Sequence, residues 1–260
     1  MLSRNSASSR AIPVEKLLKR IENDPALPVW WGKNQSGMQA AEELTGHELG
    51  NVQHAWHDLR FTVLQAVRRL GELGLHKQIA NRPVEAWMPI TVIVTATHWS
   101  NLRGLRVSPH AQPEFDDVMR KAFALFDVNE PQRLEAGRWH LPYVTGFDET
   151  QFSGSDGATD TGLCMISAGR CAAVSYLNQD KRDVPADMER AHKLMGNGHM
   201  SPFEHIAKAL TKDEWQAYAL AAAGRWIHEG VPVGNLWGWK QFRKTIENED
   251  DFSKIKKAGT

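Results

Sequence analysis

Apolar residues recur every three or four positions along several stretches of the chain, which is the spacing of helices with one buried face. In the first stretch, Val14, Leu17, Leu18 and Ile21 follow this spacing directly after Pro13. The helices predicted in this way span residues 13–23, 50–74, 111–126, 185–195 and 215–223.

One segment has the composition of a strand instead. Residues 90–97, Ile-Thr-Val-Ile-Val-Thr-Ala-Thr, are β-branched at almost every position, so they predict a buried strand. A helical turn is predicted at 99–105, and Thr211-Lys-Asp-Glu214 is a capping box ahead of the last helix. The expected fold class is therefore α/β of the α+β kind, rich in helix with a small mixed sheet.

A polar stretch divides the chain into two parts. Residues 151–162, QFSGSDGATDTG, are Gly, Ser, Asp or Thr at nearly every position. Such a composition predicts a linker or a flexible lid. It separates residues 1–150 from residues 163–260.

Composition excludes several classes of protein. The 260 residues carry 31 Lys and Arg against 31 Asp and Glu, so a basic coat for a nucleic-acid polymer or a membrane surface is not expected. No run of about 18 apolar residues predicts a membrane span, and MLSRNSASSR has no apolar core of a secretory signal. A cytoplasmic protein is expected. Ten Trp against three Tyr favour flat, buried stacking surfaces.

The two cysteines do not predict a chemical role. Cys164 and Cys171 are too few for a disulfide framework or a four-thiolate metal site. Neither has a neighbouring His or another obvious base, so both are interpreted as small buried residues. No glycine fingerprint of a dinucleotide or nucleotide loop is present.

The first ten residues form a dense set of hydrogen-bond donors. They contain four Ser, one Asn and two Arg, which together with backbone amides suit a phosphate or a sugar hydroxyl. The alternative is a disordered tail. Ala11-Ile-Pro13 leads directly into the first helix, which favours an ordered segment.

A second cluster follows the predicted strand. Arg103 and Arg106 share one face if residues 99–105 are helical, and sites in α/β proteins often lie at the carboxyl end of a strand. The alternative is a solvated basic turn.

A third cluster, Gly198-His-Met-Ser-Pro-Phe-Glu-His205, contains two His and one Glu. Pro202 interrupts the helical spacing that a zinc site requires, so no metal site is predicted. The interpretation preferred here is a Ser-Pro turn that directs His199, Glu204 and His205 into a pocket.

Together these clusters resemble the flavin-dependent thymidylate synthases, in particular a longer form associated with phages and some bacteria. The family signature is R-H-R-x-x-S-x-N-E-x-S-x-R, and residues 1–10 match its last ten positions. Asn101-x4-Arg106 with His110-Ala-Gln-x-Glu114 matches a second block. Arg170-Cys-Ala-Ala-Val-Ser-Tyr176 followed by 198–205 is similar to the block that contacts flavin, and the resemblance spans residues 1 to about 245.

The chain departs from the family pattern at three points. Ser6 stands where the family has Glu, no R-H-R precedes Met1, and the flavin block follows the signature, as in the long form. Two explanations of the missing R-H-R stay open. The native product is longer than this chain, or Trp239-Lys-Gln-Phe-Arg-Lys244, which is similar to the family's R-Q-x-x-R-H-R strand, supplies cations instead.

The resemblance implies reductive methylation of dUMP to dTMP, with FAD as redox cofactor, NADPH as reductant and methylenetetrahydrofolate as one-carbon donor. It implies a homotetramer, no enzymic cysteine nucleophile, a nucleotide-binding part at 1–150 and a flavin-contacting part at 163–260. The implied catalytic residues are Arg106, set against the uracil, and Ser8. The implied substrate contacts are Ser6, Ser8, Ser9, Arg10, Arg82 and Arg106. The implied flavin contacts are Asn101, His110, His199, Ser201 and Glu204.

Two other functions are compatible with the same residues. One is hydroxymethylation of dUMP on the same scaffold, since Ser6 removes a charge expected near the uracil. The other is a catalytically inactive fragment that binds nucleotide.

Overall fold

A computed structural model describes residues 2–152, 158–178, 181–222, 236–251 and 253. Within these ranges the chain is a mixed α+β protein whose sheets are small. The helices are α1 Val14–Asn23, α2 Gly46–Glu72, α3 Lys77–Ala80, α4 Ser100–Arg106, α5 Pro113–Val128, α6 Gly146–Phe152, α7 Ala158–Ala173, α8 Val184–Gly196 and α9 Lys212–Ala222. The strands are β1 Ser3–Ser6, β2 Val92–Thr95, β3 Trp139–His140, β4 Ala207–Ala209 and β5 Trp239–Gln241. Short 3-10 turns lie at Arg82–Trp87, Val174–Tyr176, Ser201–Glu204 and Phe242–Thr245.

The helices follow the apolar periodicity closely. Helices α1, α5 and α8 lie within two residues of their predicted bounds. Helix α2 begins at Gly46, four residues before the prediction, because residues 46–48, Gly-His-Glu, carry no apolar side chain. The capping box is confirmed: Thr211 N–H donates to Glu214 at 2.9 Å, and Glu214 N–H donates to the Thr211 hydroxyl at 3.2 Å.

The chain folds as two compact units. The first contains the described parts of Met1–Ala7, Thr91–His98 and Gln132–Thr260, and the second contains Ser8–Ile90 and Trp99–Pro131. Both units are therefore assembled from segments that are separated in sequence. The linker expected at 151–162 includes residues 153–157, which lie outside the described residues, while 158–162 belong to α7.

The first unit contains both sheets. Strands β1 and β2 pair antiparallel, with Ser3 opposite Thr95 and Ser6 opposite Val92. Strands β3, β4 and β5 form an antiparallel sheet in that order. The prediction that residues 90–97 form a buried strand is wrong about burial. Among the described residues β2 pairs with β1 alone, so one edge stays open and Val92 is 40% exposed.

Helix α7 is the centre of the first unit's core. Cys164, Met165 and Ala168 pack with Phe203 and Phe242 from the later turns. Burial of these apolar side chains is the main favourable contribution to the stability of this unit.

A buried ion network joins α6, α7 and α8. The Arg170 guanidinium, 1% exposed, donates to both carboxylate oxygens of Asp148 at 2.7 and 2.8 Å and to Asp187 at 2.9 Å. The Arg170 hydrogen bonds hold the pKa of the Asp148 carboxyl well below its usual range. Gly169 permits this packing, because a Cβ at that position would lie 2.1 Å from the Asp187 carbonyl oxygen.

The second unit is built on α1 and α2. Leu17, Leu18 and Ile21 of α1 are fully buried, and α1 packs against α2, whose Leu64 and Val67 are also buried. No helix in the described part of the chain is long and apolar enough to cross a membrane.

Candidate functional site

Strand β1 carries the first half of the signature and presents it on two faces. Alternation along the strand buries Ser3 and Asn5, whereas Arg4 is exposed and Ser6 is half-buried. The matched Ser and Asn therefore face the interior of the first unit. The disordered-tail alternative is excluded for residues 2–10, which form this strand and an ordered turn.

Gln241 links three segments that are distant in sequence. Its side-chain amide donates to the Ser3 hydroxyl at 3.1 Å and to the Glu204 carbonyl oxygen at 2.8 Å. Gln241 is 2% exposed and Ser3 is 1% exposed, so the hydrogen bond between them is shielded from water, and the one to Glu204 is partly buried. The signature strand β1, the 3-10 turn Ser201–Glu204 and strand β5 therefore meet at one buried amide.

Acidic side chains neutralise the cations that follow β5. Arg243 forms ion pairs with Glu204 and with Glu249, the latter at 2.6 Å, and Lys244 also pairs with Glu249. Arg243 and Lys244 are thus held in a local network. The alternative in which 239–244 supply free cations is not favoured for these two residues.

His205 is fully buried in the first unit. Its Nδ1 lies 2.9 Å from the Thr95 hydroxyl, and its Nε2 has no hydrogen-bond partner among the described residues. Burial, reinforced by the nearby His140, lowers the pKa of His205 to about 4. The ring is therefore neutral at physiological pH.

The prediction that His199, Glu204 and His205 point into one pocket is wrong. His199 is exposed, His205 is fully buried, and the half-buried Glu204 carboxylate pairs with Arg243. The 3-10 turn at Ser201–Glu204 sends successive side chains in different directions, so sequence proximity does not bring these groups together. Ser201 is exposed, as His199 is.

In the second unit, a tight turn contains the end of the signature. The Ser8 carbonyl accepts from the N–H groups of Ala11 at 3.0 Å and Ile12 at 3.3 Å. The buried Asn81 amide donates to the carbonyl oxygens of Ser9 at 2.8 Å and Ile12 at 2.9 Å. Residues 8–12 are therefore held by main-chain hydrogen bonds on both sides.

This turn presents donors of the kind that bind an anion. The backbone N–H groups of Ser9 and Arg10 have no acceptor within the described parts of the chain, and the exposed Arg10 forms no ion pair there. The Ser9 hydroxyl is already used, because it donates to the Glu85 carboxylate at 2.5 Å. Arg82 lies 3.8 Å from the same carboxylate. Adjacent N–H groups with a guanidinium can hold a phosphate oxygen.

The two arginines of α4 differ in their partners. Arg103 makes two hydrogen bonds to Asp127, at 2.8 and 2.6 Å, and lies 5.2 Å from the centre of the Phe123 ring. Arg106 lies 5.4 Å from the centre of the Phe115 ring and pairs with no carboxylate among the described residues. Both are exposed. Arg106 is therefore the α4 cation that is available to an anionic ligand.

The two flavin contacts expected in the second unit are both exposed. Asn101 lies in the first turn of α4. His110 lies in the loop before α5, where its backbone N–H donates to the Ser108 hydroxyl at 3.2 Å and its carbonyl accepts from Gln39 at 2.7 Å. These bonds fix the backbone at residue 110 and leave the imidazole accessible.

The candidate residues divide between the units. The first unit contains Ser6, His199, Ser201 and Glu204. The second unit contains Ser8, Ser9, Arg10, Arg82, Asn101, Arg106 and His110.

Both cysteines are buried free thiols, as the sequence predicts. Burial raises the pKa of Cys171 to about 12 and raises the pKa of Cys164 further. Both thiols are therefore in the neutral form at physiological pH.

Sequence reasoning missed the groups that connect the candidate residues. Gln241 lies in the segment similar to the family's arginine strand, but nothing in the spacing indicates that its amide reaches residue 3. Glu85, Asn81 and Thr95 carry no local signal, because their partners lie 69 to 110 positions away. Only tertiary folding brings these pairs together.

The described residues define an α+β protein. One unit contains a buried polar junction, and the other contains a turn with unpaired backbone N–H groups and, on α4, an arginine without a carboxylate partner among these residues. Comparison with protein-family models, with curated proteins and with solved structures finds no match to this chain.

Proposed function

We propose that this protein is a flavin-dependent thymidylate synthase that converts dUMP to dTMP. The observation that carries the proposal is the Gln241 amide, which joins Ser3 of the signature strand to Glu204 of the flavin-like block. The resemblance assigns these segments to one site although they lie about 200 positions apart. A chance match of short motifs would not require them to be hydrogen-bonded.

The proposed reaction replaces the hydrogen at C5 of uracil with a methyl group. Its carbon comes from the methylene group of methylenetetrahydrofolate, and two electrons from NADPH complete the reduction. Tetrahydrofolate and NADP⁺ are the other products. When bound, FAD supplies the hydride chemistry that no side chain of the protein can provide.

The turn at Ser8–Ile12 is the proposed site of the dUMP phosphate. Its support is the pair of backbone N–H groups at Ser9 and Arg10 and the unpaired Arg10 guanidinium. Charge-assisted hydrogen bonds from such donors favour a dianion over neutral ligands. Ser9 contributes its backbone, because its hydroxyl donates to Glu85. Ser8 begins this turn, and Arg82 lies beside it through the Glu85 carboxylate, so both stay in the proposed phosphate site.

Arg106 is the proposed electrostatic catalyst. Negative charge develops on the uracil ring when hydride adds to it, and a guanidinium aimed at that charge lowers the barrier. The support for Arg106 over Arg103 is its lack of a carboxylate partner among the described residues.

FAD belongs to the proposal because the segments that the resemblance assigns to flavin expose polar side chains. His199 and Ser201 expose polar side chains at the turn 201–204, and Asn101 and His110 are exposed in the second unit. The buried Nε2 of His205 lacks a partner among the described residues, directly after Glu204. In the proposal His199, Ser201 and His205 of the first unit bind and orient FAD, while Glu204 acts through its ion pair with Arg243. Asn101 and His110 keep the flavin roles that the resemblance implies. A homotetramer is proposed with them, as the resemblance implies.

Two spectroscopic measurements test this proposal. The purified protein is expected to carry FAD, seen as absorbance near that of free flavin, and reduced protein should reoxidise faster when dUMP and methylenetetrahydrofolate are added. Gln241→Leu should release flavin, because it breaks the link between β1 and the turn 201–204. Gln78→Leu, an exposed position on α3, is the matched control. Protein that binds no flavin and does not respond to dUMP would refute the proposal.

A further inference from the structure

Three tryptophans of the second unit form a continuous aromatic row. The Trp31 and Trp56 rings lie 6.0 Å apart between centres, edge to face, and the Trp56 and Trp87 rings lie 5.4 Å apart. Trp31 precedes α2, Trp56 lies within it, and Trp87 ends the turn Arg82–Trp87 that packs on α2. We call these three residues and Arg60 the Trp–Arg cluster.

Two indole N–H groups in the cluster are buried without an acceptor. Trp87 is 3% exposed, and its Nε1 has no hydrogen-bond partner among the described residues. The Nε1 of Trp56 is also buried and has no hydrogen-bond partner among the described residues. Buried donors are normally paired, and each unpaired one reduces stability unless something outside the chain accepts its hydrogen.

Arg60 adds a positive charge to these donors. It follows Trp56 by four residues on α2, so both side chains leave the helix on the same face. Its Nη1 is buried without a partner, and it forms no ion pair with a carboxylate in the described ranges. Glu43 contacts the cluster but accepts from the Trp31 backbone N–H at 3.0 Å. The guanidinium therefore lacks a counter-charge.

The indole N–H groups of Trp56 and Trp87 and the Arg60 guanidinium determine which kind of ligand could bind to the cluster. Indole N–H and guanidinium are donors without acceptor capacity, so their partner must supply acceptors. A single guanidinium balances one negative charge, which matches a carboxylate. A phosphate monoester, with a charge of about −1.5 to −2, would leave excess charge in a shielded site. The indole faces favour a flat apolar body attached to that carboxylate.

We propose that the Trp–Arg cluster is a binding site for a planar aromatic monocarboxylate. The carboxylate pairs with Arg60 and accepts from the indole N–H groups of Trp56 and Trp87. The ring of the ligand takes the place of the Trp31 side chain at the open end of the row. Trp31 lies outside the helices and is half-buried, so it is the member that can be displaced.

Nitrogen-15 NMR of the full chain tests this site directly. The indole N–H signals of Trp56 and Trp87 are assigned from Trp56→Phe and Trp87→Phe, and benzoate is then titrated. Benzoate should shift both signals with saturation, whereas benzamide, which has the same shape without the charge, should not. Inorganic phosphate should also leave them unchanged.

Arg60→Gln should weaken benzoate binding by about tenfold or more, because it removes the counter-charge. Arg69→Gln is the matched control on the same helix, since Arg69 is exposed and pairs with Glu72. The backbone amide spectrum shows whether each variant is folded. The benzoate titration of the wild-type protein tests the site even if a variant does not fold. Absent benzoate shifts, equal shifts with benzamide, stronger shifts with phosphate, or unchanged affinity in folded Arg60→Gln would each overturn the proposal.

Discussion

Arg103 and Arg106 lie one turn apart on α4, yet only Arg103 pairs with a carboxylate among the described residues. Arg106→Ala should reduce turnover by about 10²- to 10³-fold, the usual effect of removing one electrostatic contact to a transition state. The fold should be unchanged, because Arg106 is exposed and pairs with no described carboxylate. Steady-state kinetics with dUMP, together with circular dichroism, measure the two effects.

Arg103→Ala is the matched comparison for Arg106→Ala. It removes the two hydrogen bonds to Asp127 but should leave the chemical step largely intact. If both variants lost activity to the same extent, Arg106 would have no special role in the reaction.

His205 should make stability depend on pH below neutrality. Its pKa is about 4 in the folded protein against about 6.5 in an unfolded chain, so unfolding takes up a proton between these values. The contribution of neutral His205 is complete above pH 6.5 and is lost as pH falls toward 4. The expected loss is about 3 kcal/mol of unfolding free energy, measured by urea denaturation at pH 7.5 and pH 4.

His205→Gln should lose this part of the pH dependence, whereas His199→Gln should retain it because His199 is exposed. Identical pH dependence in wild type and His205→Gln would show that another group is responsible.

At the scale of the elements, the close approach of α7 and α8 depends on Gly169. A Cβ there would lie 2.1 Å from the Asp187 carbonyl oxygen and 2.7 Å from its carbon, and both are backbone atoms that cannot rotate away. Gly169→Ala should therefore force the helices apart. We expect it to reduce the unfolding free energy by more than about 3 kcal/mol, measured by chemical denaturation.

Gly50→Ala is the same type of substitution but should change the unfolding free energy in the opposite direction. Gly50 lies in α2 with open space at its Cβ position, so alanine should raise stability by about 0.5–1 kcal/mol through helix propensity. A tolerated Gly169→Ala would contradict the packing described for α7 and α8.

Elements with a long local signal could be predicted from the sequence, and short paired strands could not. Apolar periodicity identifies α1, α2, α5 and α8 because a helix makes its backbone hydrogen bonds within its own segment and its buried face repeats every three or four residues. Strand β4 has three residues and depends on partners at 139–140 and 239–241. Strand β4 is stabilised by pairing with these distant segments, so no local sequence pattern predicts it.

At the scale of the whole molecule, the chain has no net charge but retains a few unpaired cations. Many of its arginines are paired with carboxylates, including Arg103, Arg170 and Arg243. Arg10 and Arg106 pair with no carboxylate in the described ranges. This distribution suits one small anionic ligand better than a polymer.

The candidate site could be predicted from the sequence in part. Motif matching selected Arg10 and Arg106, whose guanidinium groups the structure leaves without a carboxylate partner among the described residues. Motif matching could not show that the Gln241 side chain bridges residues 3 and 204. Nor could it show that the Ser9 hydroxyl donates its hydrogen bond to Glu85. Those contacts depend on how two units are assembled from alternating parts of the chain.

The most direct test of the central claim is mass spectrometry of the nucleotide product. The protein is incubated with dUMP, methylenetetrahydrofolate, FAD and NADPH, with Arg106→Ala as the control of reduced activity. The proposed function predicts dTMP that depends on every component and forms about 10²- to 10³-fold more slowly in the control. Unchanged dUMP, or hydroxymethyl-dUMP in place of dTMP, would contradict it.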